Sequence, residues 1–89
     1  MHESETNHDA QTLALLAFAW CLEDVRRAER LLSLTGLTTN GLRERAADPV
    51  LQAAVLGFIE AHEPDLIACA EALGVKPQRL IAARAELER

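Results

Sequence analysis

Hydrophobic side chains recur along this chain at helical spacing, in runs closed by glycine, proline or a capping residue. The densest run is residues 13–22, Leu-Ala-Leu-Leu-Ala-Phe-Ala-Trp-Cys-Leu, ten consecutive apolar residues. On a helix turning roughly 100° per residue, Leu13, Leu16 and Trp20 line one side and Leu15, Phe18 and Leu22 the other. Ala14, Ala17 and Cys21 fill one seam between them, and Ala19 lies in the other. Leaving either face in water forgoes about 1.5–3 kcal/mol for each large side chain. This helix is therefore expected to be covered on both faces, by the rest of the chain or by a second copy.

The polar residues 1–6 are expected to form a flexible tail, with Thr6 or Asn7 capping a first helix that reaches about Glu23. Asp24 caps a second helix that ends at Thr35-Gly36, where Gly36 suits the left-handed position and Leu37 folds back on Leu32. A short third helix near 39–47 follows Thr38 and turns Leu42 and Ala46 inward. Asp48-Pro49, a cap followed by proline at the first helical position, opens a fourth helix over about 49–61. Its expected inner stripe is Val50, Leu51, Ala54, Val55, Phe58 and Ile59, which leaves Leu56 for a contact with another chain. Glu63-Pro64 opens a fifth helix that Gly74 stops, and Pro77 opens a sixth with Leu80, Ile81, Ala83 and Leu87 inward. No strand-like alternation occurs. The pattern predicts an all-α fold, a compact orthogonal array of five to six short helices around an apolar N-terminal helix. One domain is expected over residues 7–89.

Composition narrows the function classes. At 89 residues and 49% hydrophobic, the chain has material for one core and needs no metal or disulfide to fold. A net charge of −5 argues against nucleic acid and anionic lipid as partners, since both attract a concentrated positive field. The apolar run is shorter than the roughly 20 residues a membrane span takes. Its flank carries Glu3, Glu5 and Asp9 rather than the cations of a signal peptide, so the expected location is the cytoplasm. Cys21 and Cys69 lie in apolar surroundings that suit buried thiols, although spacing alone leaves a disulfide between them open.

Of the constellations that carry chemistry, residues 66–85 come nearest to a motif. Ala70, Gly74 and Leu80 match the small, turn and apolar positions of a helix-turn-helix, with Leu73 and Val75 flanking the turn. A DNA-binding regulator is therefore the alternative reading. Against it, the second helix opens Pro77-Gln78-Arg79 and continues with Ile81 and Ala82. Residues 62–89 also set Lys76, Arg79, Arg84 and Arg89 against Glu63, Asp65, Glu71, Glu86 and Glu88, so the cationic footprint is missing.

His62-Glu63 begins like a zinc-protease helix, yet residue 66 is Leu where the second histidine belongs, and Pro64 interrupts. His2, Glu3, Glu5, His8 and Asp9 offer only a loose collection of metal ligands. Ser4 and Ser33 stand in no triad frame. Glycines occur singly at 36, 41, 57 and 74, so no phosphate-cradling loop exists. No catalytic, cofactor-binding or metal residue is assigned, and neither an enzyme activity nor a cofactor is expected. His62, Glu63 and Asp65 are the cluster to inspect if a concave site forms. The mixed charges of residues 23–30 and of Arg43-Glu44-Arg45 read as a solvated face with a Glu23–Arg27 pair, or as the polar rim of a protein-binding patch.

Three stretches carry a resemblance: Leu-Leu-Ser-Leu-Thr-Gly-Leu at 31–37, Leu-Arg-Glu-Arg-Ala-Ala-Asp-Pro at 42–49 and Ala-Leu-Gly-Val-Lys-Pro-Gln-Arg-Leu-Ile-Ala-Ala-Arg at 72–84. With the apolar first helix they resemble, over nearly the whole chain, a family of small alphaproteobacterial proteins catalogued as a domain of unknown function, number 3572 in that series. The resemblance implies an all-helical bacterial domain and supplies no activity or functional residues. Gly41 departs from it, standing where an acid is expected at the third helical position, which would weaken the third cap. The expectation is a non-catalytic protein-interaction module whose partner is another protein, with a homodimer among the candidates.

Overall fold

Local capping chemistry sets the helix ends. The computed structural model describes residues 9–89 and shows α1 (Ala10–Leu22), α2 (Val25–Thr35), α3 (Thr39–Glu44), α4 (Pro49–Glu60), α5 (Glu63–Leu73) and α6 (Pro77–Leu87). No strand occurs among the described residues. Asp9, rather than Thr6 or Asn7, caps α1, its carboxylate accepting from the Thr12 N–H at 2.8 Å. Thr6, Asn7 and the tail over 1–6 lie outside the described residues. Asp24 accepts from the N–H groups of Arg26 and Arg27, and Asp48 from that of Val50. Gly36 and Gly74 both adopt φ of 73°, the left-handed stop that the pattern called for. The third helix is shorter than expected, because Arg45 to Ala47 turn the chain toward the extended Asp48 that Pro49 requires. Its cap holds without an acid at position 41: Thr38 Oγ1 accepts from the Gly41 N–H at 3.0 Å.

The core differs from the expected one in which faces turn inward. On α1 the buried arc is Ala10, Leu13, Ala14, Ala17, Trp20 and Cys21, centred on the small-residue seam rather than on a leucine face. Small side chains let helix axes approach closely, and α4 and α6 both pack against this helix. Cover on both faces is not supplied by the chain itself, since Leu15 and Leu16 remain 43% and 39% exposed.

The helix buried on two sides is α4, which touches α1, α2, α5 and α6. Leu51, Val55 and Ile59 are buried as expected, but Val50 is 77% exposed and Ala54 is also exposed. Their places are taken by Gln52, Ala53 and Leu56. Leu56, assigned from sequence to another chain, is part of this chain's own core. The cause is that α4 meets neighbours on two flanks, so a single inner stripe cannot describe it. The buried Gln52 amide nitrogen donates to the Ala46 carbonyl at 2.8 Å, tying α4 to the turn before it, while its Oε1 has no hydrogen-bond partner among the described residues. On α6, Leu80 and Ala83 are buried while Ile81, expected inside, is exposed. The side chain of Leu42 pins α3 to the core.

Replacing Leu56 with alanine is expected to lower unfolding stability by about 2–5 kcal/mol in urea titrations. Leu15→Ala should change it by less than about 1 kcal/mol. A neutral Leu56→Ala would return that side chain to an intermolecular contact.

Candidate functional site

The arginines of α2 point two ways, Arg27 toward Trp20 and Arg30 toward Asp65. Arg27 turns inward. Its guanidinium carbon lies 3.7 Å from the centroid of the Trp20 ring, and Nη2 donates to the Trp20 carbonyl at 3.0 Å. Its carboxylate contact is Asp24 at 3.7 Å, so the expected Glu23–Arg27 pair is replaced by a stack that closes the corner between α1 and α2. Hydrogen bonds from the Arg27 and Arg26 N–H groups hold the Asp24 carboxyl below its usual range.

Arg30 reaches outward and across to α5. Its Nη2 donates to Asp65 Oδ2 at 2.9 Å, and the same oxygen lies 3.0 Å from His62 Nδ1. The Arg30 guanidinium also faces the Phe58 ring of α4, 5.8 Å from its centroid. Asp65 is buried in the first turn of α5, where a carboxylate also suits the positive end of the helix. One carboxylate thus ties α2 to α5. Of the cluster singled out from sequence, His62 and Asp65 come together, while Glu63 is exposed beside them. Sequence reasoning missed Arg30 as their partner, and a pair 35 positions apart leaves no local signal.

In front of this tie lies an open groove of about 800 Å³, lined by Arg26, Glu29, Arg30, Ser33 and Leu34 of α2 and by Phe58. Leu34 is 61% exposed and the Arg30 side chain 51% exposed. The surface therefore joins the exposed Leu34 to a charged stretch in which Arg26 and Arg30 are matched by Glu29 and Asp65.

The helix-turn-helix candidate occupies α5 and α6. Ala70 and Leu80 are buried, and the Val75 N–H donates to the Ala70 carbonyl at 3.0 Å, closing the turn. Arg79 lies 3.3 Å from Glu86, and Arg84 makes a two-pronged contact with Glu60, at 2.7 and 3.3 Å, and a third with Glu88. These hydrogen bonds push the Arg84 guanidinium further up from its ordinary value. Both arginines of the second helix are thus engaged by carboxylates, and its inner face packs on α4 and α1.

No group of three or more metal-ligating side chains occurs among the described residues. His2, Glu3, Glu5 and His8 lie outside them. Cys21 and Cys69 are free and buried, and burial pushes each thiol up to about 12. Among the described residues no helix is long and apolar enough to cross a membrane.

Six short helices carrying an open groove of mixed charge define a small all-helical domain. The chain belongs to the DUF3572 family, described as a protein of unknown function, whose model matches residues 7–89. No curated protein and no solved structure matches it.

Two outcomes follow from this geometry. Truncating Arg27 to alanine should shift the emission of the single tryptophan to longer wavelength and lower stability by about 1–2 kcal/mol, read by fluorescence-monitored urea titration. The two thiols should resist Ellman's reagent in the folded protein at pH 8 and both react once denatured. Unfolded thiols ionise near 9.0, whereas folded ones hold their protons to about 12. Between those values the unfolded state binds fewer protons, so stability is complete below the window and falls as pH rises through it. A Cys21→Ala, Cys69→Ala variant should show a flatter decline in thermal melts across that range.

Proposed function

We propose that this protein is a non-catalytic interaction domain that docks other proteins on the outer face of α2. The observation that carries the reading is the groove between α2 and Phe58, with Leu34 largely exposed at one end and arginines at the other. Isolated exposed leucines are ordinary on a monomer. An exposed leucine on the same surface as an arginine-capped aromatic ring matches the composition favoured at protein interfaces, where Arg and aromatic side chains are enriched. A soluble, cytoplasmic setting fits the acidic surface and the short helices.

The groove also rests on stable supports. Arg30 is held from behind by Asp65, and Phe58 stands on α4, the most surrounded helix of the core. A partner would therefore meet side chains already close to their bound positions, which reduces the ordering entropy of association.

The reading is tested by placing a photo-cross-linking benzoylphenylalanine at Ser33 in the groove and, separately, at the exposed Gln78 on α6. In native cell extract, a discrete adduct is expected from position 33 and none of that mass from position 78. Leu34→Asp should abolish the adduct while leaving helicity unchanged. Identical adducts at both positions, or none at position 33, would remove the docking role.

A further inference from the structure

A buried acceptor between α1 and α4 lacks a donor. Gln52 is 3% exposed; its Nε2 donates to the Ala46 carbonyl at 2.8 Å, whereas its Oε1 meets no hydrogen-bond donor among the described residues. An amide oxygen is fully hydrated in the unfolded chain, so burying it unpaired is costly, and nearly all such groups find a donor in folded proteins. The same side chain lines a small void whose other walls are Ala14, Leu15 and Phe18 of α1, Leu51 and Val55 of α4, and Ala46. The orphaned oxygen and the void belong to one place in the fold.

Volume and chemistry together select what fits. The void holds about 10 Å³. A single water takes about 10–15 Å³ by this measure, whereas a benzene-sized guest takes on the order of 150 Å³. A cation would exchange its hydration for a lining of alkyl groups, which burial penalises. A neutral molecule with two donor hydrogens remains, and two acceptors stand ready for it. The first is Gln52 Oε1. The second is the Ala46 carbonyl, which takes the one donor from Gln52 Nε2 and keeps a second lone pair. Leu15 is the one exposed side chain of the lining, at 43%, so it stands between the void and solvent.

We propose that this void is a binding site for one structural water, which donates to Gln52 Oε1 and to the Ala46 carbonyl. Ala46 follows α3, the helix with the sparsest contacts to the other five, so the water doubles a polar link that fastens this segment to α4. Leu15 is the lid of the site. Its position at the surface has a use inside the chain, because it slows exchange of the water with solvent.

The test uses the full chain with labelled methyl groups and reads nuclear Overhauser contacts between water and the methyls of Ala14 and Val55, with oxygen-17 relaxation dispersion to count long-lived waters. The wild-type protein should show both contacts. Gln52→Met keeps a side chain of similar length without an acceptor, and should lose the contacts and one long-lived water. Leu15→Ala removes an exposed side chain and keeps the fold, verified by circular dichroism; it should lose the dispersion signal, because the uncovered water exchanges quickly. If Gln52→Met does not fold, the wild-type contacts and Leu15→Ala decide the matter. Absence of the contacts in the wild type would overturn the site, and so would a dispersion signal unchanged in either folded variant. Shifts of the same methyls on adding benzene to the wild type would also overturn it, because the void would then take an apolar guest.

Discussion

Close approach of α1 to α4 and α6 is the constraint on which the other placements depend. The buried face of α1 is Ala10, Leu13, Ala14, Ala17, Trp20 and Cys21, four of them small. Because those central side chains are small, backbone-to-backbone distance shortens and large residues on α4 must interleave beside the seam rather than meet it head-on. This is why α4 spends Leu51, Val55, Leu56 and Ile59 on more than one neighbour. Larger side chains in the seam would force the helices apart and open voids around α4.

Punctuation was the most legible part of the chain, for a local reason. Asp24, Asp48, Gly36, Gly74, Pro49 and Pro77 act within a few residues of themselves, through a side-chain cap, a left-handed φ or a missing N–H. Which face of a helix turns inward depends instead on its neighbours. On α2 polar and apolar residues alternate at helical spacing, and Leu31 is buried while Arg26 and Arg30 lie outside. On α1 and α4 nearly every position is apolar, so hydrophobicity carries almost no directional information. Val50 therefore lies outside and Leu56 inside, the reverse of the stripe expected from sequence, and the chain itself leaves Leu15 and Leu16 exposed.

The surface cluster divides along the same line. His62 and Asp65 are three residues apart at the start of one helix, so their meeting follows from helical geometry alone. The third member, Arg30, arrives from another helix and depends on how α2 lies against α5. Likewise Arg27 was visible as a charged surface residue, but its stacking on Trp20 depends on the corner between α1 and α2. Two neighbouring arginine-rich positions thus take opposite roles, one sealing the core and one facing solvent, because they lie on different sides of the same helix.

That split explains why the exposed groove belongs to α2 rather than to the helices with more apolar surface. Leu31 is the one fully buried side chain of α2, Leu32 packs half-buried beside the core, and two guanidinium contacts, to Trp20 and to Asp65, tether the helix further. Those tethers use polar atoms, and they leave Leu34 on the outward face, 61% exposed. A helix anchored by a second hydrophobic stripe would have consumed that side chain in the core. Holding α2 by charge at its edges keeps its outer face free, which is the property a docking element requires.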